Sequence, residues 1–382
     1  EKYDSTAYIT IAVSDDDNPN GVWHAYRTDA VIEVDGTTFW WDYPGLGYDA
    51  QGYYVTGNLF GLSDSGWAGV GFRCFDKSPL LTGDPAVHFT LRGSGAGSVQ
   101  CAHHFGDNPA AYFVETESTH SLRIHAITNP TTSPEKTSFR LGVGAFVGPS
   151  GAPVLGGGEL SIVDARIMNA QWRDGHLLTT HHVSVGGFAK PRWYEAATNG
   201  WPASGTPSLV QSGIADPGDQ IEGFFPAIFS NDDGAIGLVF GTSSPDLPAG
   251  LSVTGRNPGD PLGTMAERVE VRESPIGGSD GRWGDYFDIT TDPTDGTTFW
   301  VIGQTTEPGI GWDTRIASFR IEAEPCPADL AEPFGILDLA DITAFVTGFQ
   351  VEDPAVDFAE PFGVFDLADI TAFVASFAAG CE

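Results

Sequence analysis

Tyr43-Pro-Gly-Leu-Gly-Tyr-Asp-Ala-Gln-Gly-Tyr-Tyr-Val55 and Phe225-Pro-Ala-Ile-Phe-Ser-Asn-Asp-Asp-Gly-Ala-Ile-Gly-Leu-Val239 share one design: an apolar strand, a turn carrying Asp, Asn or Gly, and a second apolar strand. Tyr286-Phe-Asp-Ile-Thr-Thr-Asp-Pro-Thr-Asp-Gly-Thr-Thr-Phe-Trp300 is a third copy, and weaker copies run from Cys101 to Glu115 and from Met168 to His181. Short apolar runs broken by such turns read as β-hairpins. The turn positions Gly52, Asn108, Gly175, Gly234 and Gly296 lie 56, 67, 59 and 62 residues apart. Further strand-like runs follow the hairpins, among them Trp67–Phe75, Ser121–Ile127, Leu251–Gly255 and Val269–Arg272. A hairpin plus two more strands every sixty residues describes a four-stranded blade, and blades repeated around an axis form a β-propeller.

Residues 7–13 and 22–28 read as outer strands of a blade lacking its inner pair, and Thr314–Ile321 gives the last blade only a third strand. The expected architecture is therefore mainly β, a six-bladed propeller over residues 1–322 with its first blade incomplete. The missing strands would come from an upstream segment or from a neighbouring copy, because the chain opens at Glu1 without an initiator Met. The hexapeptide Asp-Gly-Thr-Thr-Phe-Trp occurs at 35–40 and again at 295–300, and reads as one turn solution used twice.

Composition narrows the function classes. The 382 residues carry 51 acidic and 18 basic side chains, a net charge of -33, which opposes nucleic acid or an anionic membrane as partner. No apolar run is long enough for a membrane-spanning helix. Four Cys occur, with no Cys-x-x-Cys pair. Cys326 and Cys381 bracket the last segment like a staple, and Cys74 with Cys101 forms either a second bridge or two buried thiols. Together these point to an extracellular or cell-surface location.

The tail, residues 323–382, contains a duplication. Asp329–Phe349 reads DLAEPFGILDLADITAFVTGF and Asp357–Phe377 reads DFAEPFGVFDLADITAFVASF, matching at 16 of 21 positions. Each copy is a loop followed by a helix capped by Asp338 or Asp366. Ile342, Phe345, Val346 and Phe349, and likewise Ile370, Phe373, Val374 and Phe377, form one apolar stripe per helix. The two stripes are expected to face each other as a minimal core.

With its paired loop–helix units, Gly335-x-x-Asp338-x-x-Asp341, Gly363-x-x-Asp366-x-x-Asp369 and bracketing Cys, the tail resembles a dockerin domain of the type found in secreted planctomycete proteins. The resemblance implies an EF-hand-like Ca²⁺ module that engages a cohesin-like protein partner. It places Asp329 and Asp357 first among the ligands, Asp338 and Asp366 ninth, and Asp341 and Asp369 last. Ala-Glu-Pro-Phe-Gly interrupts each loop where two oxygen ligands normally stand. Either Glu332 and Glu360 substitute, or the loop folds without metal around Phe334 and Phe362.

Residues 1–322 also resemble secreted bacterial propellers of sialidase-like shape, through Ile11-Ala-Val-Ser14, Gly21-Val-Trp-His-Ala-Tyr26, Asp42-Tyr-Pro-Gly-Leu-Gly47 and Trp283-Gly-Asp-Tyr286. The main functional expectation is a secreted binding or scaffold protein displayed through the tail. The alternatives are a glycoside hydrolase carried by it, or a subunit of a head-to-tail polymer and so of a filament. Sialidase chemistry needs three recurring Arg, which the sequence lacks. For acid–base glycosidase chemistry the candidates are Asp42, Glu222, Asp285 and Asp288, near the starts of inner strands. Tyr43, Trp283 and Tyr286 would stack on a polysaccharide. The competing reading is that the repeated Asp-Tyr pair caps and packs each inner strand.

Overall fold

The computed structural model describes every residue except 4, 64–65, 94, 96, 275–280, 308–311, 322–325, 333–335 and 381–382. The chain forms two compact units, residues 1–256 with 261–320, and residues 321–382 with 257–260.

The first unit opens with an antiparallel ribbon, β1 (Tyr8–Ser14) and β2 (Trp23–Asp29). A short strand β3 (Ile32–Val34) then turns into β4 (Thr37–Tyr48). The first large sheet runs β4, β5 (Gly52–Gly61), β6 (Trp67–Asp76), then the helix α1 (Lys77–Thr82) and β7 (His88–Gly93). The second is β8 (Gln100–Phe105), β9 (Ala111–Ser118), β10 (Ser121–Thr128) and β11 (Glu135–Gly142). After two short strands, β12 (Ala152–Pro153) and β13 (Glu159–Ser161), the third sheet is β14 (Asn169–Arg173), β15 (His176–Val185), β16 (Phe188–Ala197) and β17 (Ser208–Ile214). The fourth is β18 (Glu222–Ser230), β19 (Ile236–Ser244), β20 (Leu247–Arg256) and β21 (Val269–Glu273). The short β22 (Gly281–Arg282) pairs with β13, and β23 (Asp288–Thr291), β24 (Phe299–Thr305) and β25 (Asp313–Phe319) form a three-stranded fifth sheet.

The first strands of successive sheets lie side by side and parallel. Tyr48 of β4 meets His103 of β8, and Ala102 of β8 meets Ala170 of β14. Side-chain bonds carry the ring onward: Asn169 accepts from the Ile228 amide at 2.9 Å, and Gln171 accepts from the Ser230 amide at 2.6 Å. Gly47 permits this approach, because a Cβ there would lie 2.4 Å from the Ala102 carbonyl oxygen. Parallel inner strands, each opening an antiparallel sheet, make a β-propeller.

Of the expected six blades, five sheets supply inner strands among the described residues, and Tyr43 of β4 bonds the Asp285 carbonyl ahead of β23. The β1–β2 ribbon instead packs on the first sheet, with Val13 beside Val55, Phe75 and Leu80, and Ala7 and Ala30 beside Phe39 and Trp41.

In the second unit, helices α2 (Leu339–Gln350) and α3 (Leu367–Ala379) each start on a capping box, Asp338 with Asp341 and Asp366 with Asp369. Phe345 and Phe373 stack at 4.0 Å and 7° between them. The expected stripe is split. Phe345 and Phe373 are buried, whereas Ile342, Val346, Ile370 and Val374 are 37–56% exposed. Two short helices bury one aromatic pair between them and leave the aliphatic edge outside.

Candidate functional site

Because the inner strands are parallel, their starting ends share one rim. At that rim β4 and β18 each carry a bulge, between Asp42 and Gly45 and between Phe224 and Ala227. Tyr43 (φ 52°), Phe225 (φ 49°) and Asp285 (φ 88°) adopt left-handed backbone there. Bulky residues rarely hold that conformation unless their surroundings enforce it, and such outliers concentrate at functional positions.

The bulge aims Tyr43 at its neighbours. Its ring stacks on Tyr286 at 5.1 Å, and its hydroxyl donates to the Asp285 carbonyl at 3.3 Å. The Arg166 guanidinium lies 4.6 Å from the Tyr43 ring centre and grips Asp164 with two bonds of 2.7 and 2.9 Å. Asp285 pairs with Arg282, and the exposed Asp42 carboxylate acts electrostatically on both Arg282 and Tyr286. Burial pushes the Tyr43 phenol up to about 12 although Arg166 draws it back, and burial likewise raises Tyr286. Burial alone would raise Asp164, but its bonds to Arg166 outweigh this and hold it low.

Asp288 stands three residues beyond Asp285, at the start of β23. Its side chain reaches solvent, yet protein walls enclose it and push its carboxyl up; His103 draws it partly back. His103 stacks on Tyr48 at 4.8 Å, and its Nε2 bonds the Leu46 carbonyl at 3.0 Å. A carboxyl pushed toward its protonated form thus sits near a rim that also carries solvated and ion-paired carboxylates.

Three of the four expected acid–base residues, Asp42, Asp285 and Asp288, belong to this region. Glu222 does not: it is 5% exposed and accepts from the Ala189 amide of β16. Of the expected ligand platforms, Tyr286 is 53% exposed and Tyr43 is half-buried. Trp283 is a correction, because at 3% exposure it is wedged between Phe224 and Phe287 in the core. Sequence reading missed Arg166, Asp164 and His103, since their blade partners are distant in the chain.

Of the two readings of Cys74 and Cys101, the structure has the second and not the bridge: both are free, buried thiols. The Cys101 sulfur instead lies 3.3 Å from the Tyr54 carbonyl, and burial pushes the Cys74 thiol up to about 12. The Cys326–Cys381 staple falls on Cys381, outside the described residues.

The paired histidines tie sheets together. His104 Nε2 accepts from the Tyr112 amide at 2.8 Å while Nδ1 faces the Tyr48 carbonyl at 3.0 Å, which fixes a neutral tautomer. His181 bonds the Ala165 carbonyl at 2.8 Å, and His182 accepts from the Phe225 amide at 3.2 Å. Burial lowers His104 and His181 to about 4 and His182 to about 3. The unfolded chain takes up these protons near pH 6.5 and the folded chain does not, so stability rises with pH between those values. The propeller is expected to lose melting temperature steadily from about pH 6.5 down to about pH 4. Thermal melts across that range check this, and His182→Gln should flatten the slope.

In the second unit four of the eight expected Ca²⁺ ligands anchor their helices and loops. Asp338 and Asp366 cap their helices, accepting from the Ala340 and Ala368 amides. Asp341 is buried and accepts three backbone N–H groups, from Leu330, Ala331 and Asp338, at 2.7, 2.9 and 2.9 Å. Asp369 repeats this with Phe358, Ala359 and Asp366 at 2.8, 2.9 and 2.9 Å. The carboxylate that would close a cation shell is thus saturated by backbone donors. Asp329 with Glu332, and Asp357 with Glu360, would have to share a cation's six to eight oxygen places with backbone carbonyls and water. Phe362 is 68% exposed and fills no loop, and Phe334 lies outside the described residues. Among the described residues no group of three or more metal-binding side chains occurs, and no helix is long and apolar enough to cross a membrane.

No protein family matches the chain by sequence, and no curated protein is similar to it. Among solved structures, a protein of unknown function from Dyadobacter fermentans aligns over 77% of this chain and 85% of its own, with 8% identity and a TM-score of 0.40. An endo-arabinase from Bacteroides thetaiotaomicron aligns over 73% and 94%, with 11% identity and a TM-score of 0.36. An α-L-arabinofuranosidase from Lactobacillus brevis aligns over 74% and 91%, with 14% identity and a TM-score of 0.37. At scores this low the superpositions define neither a family nor a chemistry.

Proposed function

We propose that the propeller is a carbohydrate-active hydrolase working at the rim of its inner strands, the reading that supersedes a purely scaffolding role. One observation carries it: the stacked Tyr43–Tyr286 pair stands beside carboxylates in contrasting environments, Asp42 in water and Asp285 on Arg282, while Asp288, three residues further along the chain, has its carboxyl pushed up by its surroundings. Contrast of that kind divides acid from base roles between carboxyl groups. Asp288 holds the proton for the leaving oxygen, Asp42 is the opposing carboxylate, and Tyr286 receives a sugar face. Arg282 and Arg166 position Asp285 and Tyr43.

The test incubates the full chain with debranched arabinan, xylan and levan and measures new reducing ends. Release from at least one polymer, lost in Asp42→Asn, is the expected result. No release from any of them overturns the hydrolase reading.

The tail is proposed as a secreted protein's docking module, tied by the Cys326–Cys381 bridge and engaging a protein partner. The exposed Ile342, Val346, Ile370 and Val374, which repeat in both helices, favour that reading.

A further inference from the structure

A cleft of about 410 Å³ opens between the first and second sheets. Volumes of this order suit small-molecule and oligomer sites. One end is aromatic. Trp67, the first residue of β6, is 46% exposed, and its ring stands 5.3 Å from that of Phe60. Gly97 (φ 110°) makes room for it, since a Cβ there would lie 3.1 Å from the Trp67 ring and 3.2 Å from Asn58 Oδ1.

The adjoining polar groups are fixed in advance. Asn58 Oδ1 accepts from the Ser98 amide at 2.6 Å and its Nδ2 donates to the Ser98 hydroxyl at 3.2 Å. Glu117 is held by Arg123 and by Arg140, the latter at 2.9 Å. At the other end the cleft reaches Asp164 and Arg166. Arg166 is the same guanidinium that covers Tyr43. The cleft and the rim therefore share a wall.

An exposed indole with rigid hydrogen-bonding groups beside it suits a sugar ring, which offers an apolar face and hydroxyl edges. The carboxylates in the cleft are already paired with Arg, and the chain carries a net charge of -33, which disfavours an acidic polymer. We infer that this inter-sheet cleft is a distal subsite for a neutral, linear polysaccharide whose chain continues to the Tyr43–Tyr286 rim. The inference rests on the carbohydrate reading of the rim and extends it to a polymeric substrate.

Affinity electrophoresis of the full chain tests it, with debranched arabinan, xylan, levan and polygalacturonate in the gel and the matching trisaccharides as competitors in solution. Trp67→Ala is expected to weaken retention by a neutral polymer about tenfold while trisaccharide binding stays unchanged, and Trp67→Phe to restore most of the loss. Melting temperatures of both variants confirm that the fold is intact. Unchanged retention of Trp67→Ala, an equal loss for the trisaccharide, retention by polygalacturonate alone, or no retention of the wild type by any polymer overturns the inference. Tyr286→Ala separates the two ideas. If it loses retention while Trp67→Ala does not, the rim reading stands and the subsite fails. If Trp67→Ala loses retention but no polymer is cleaved, the subsite stands and the hydrolase fails.

Discussion

Asp288→Asn is expected to lower turnover of a glycosidic substrate by about 10²–10⁴-fold, the usual loss when a positioned proton donor is removed. The substitution keeps the side chain's shape and removes only the ionisable proton, so binding at the rim should persist. The reason lies in the enclosure of Asp288, which disfavours the charged carboxylate and keeps the proton in place to higher pH than an open Asp would. Activity should therefore fall on the alkaline side as pH rises through that raised value. His103 draws the carboxyl back down, so His103→Ala should move this limb to higher pH. A pH–rate profile of wild type and both variants decides the matter. Wild-type turnover in Asp288→Asn, or an alkaline limb that moves down in His103→Ala, would remove Asp288 from the mechanism.

Asp341→Ala and Asp369→Ala should each unfold the C-terminal unit at lower temperature, by on the order of 10 °C, and the double variant should not fold. Each carboxylate satisfies three backbone N–H groups that close a loop onto its helix. Truncation orphans all three donors at once, in a unit whose core is a few Phe rings. Those same bonds lower both carboxyls below the ordinary Asp range. The contribution is present above about pH 4 and is lost as pH falls through the depressed folded values. A chelator should leave the transition unmoved, because backbone donors fill the place a cation would take. Melting of the full chain, followed by helix-sensitive circular dichroism with and without chelator, reads both effects. A transition that drops on chelation would show that metal holds the loops.

Much of the fold was legible because hairpins are local. The turns expected near Gly52, Asn108, Gly175, Gly234 and Gly296 all fall between the first two strands of a sheet. The capping boxes on Asp338 and Asp366 were legible for the same reason, since cap and helix lie within four residues. The rim was half legible. Asp42, Asp285 and Asp288 could be named from the expectation that they lie near the starts of inner strands, but Arg166 and His103 come from sheets far away in sequence. Trp283 and Glu222 shared the same sequence signal and turned inward instead.

The repeated hexapeptide shows the division most clearly. At 35–40 the Asp35-Gly36 pair takes positive φ at both residues (51° and 80°) and forms a tight hairpin joining Val34 to Thr37. At 295–300 the same six residues sit in a wider turn: Asp295 accepts from Thr297, Thr298 and Arg320, and the Gly296 carbonyl accepts from Asp232 of the neighbouring sheet. Where strands begin, where turns fall and how often the pattern returns could be read from local sequence, because those depend on bonds between near neighbours. Which turn formed, which aromatic stayed exposed and which carboxyl was pushed toward its protonated form depended on the tertiary structure, because burial and distant charges act through space and not along the chain.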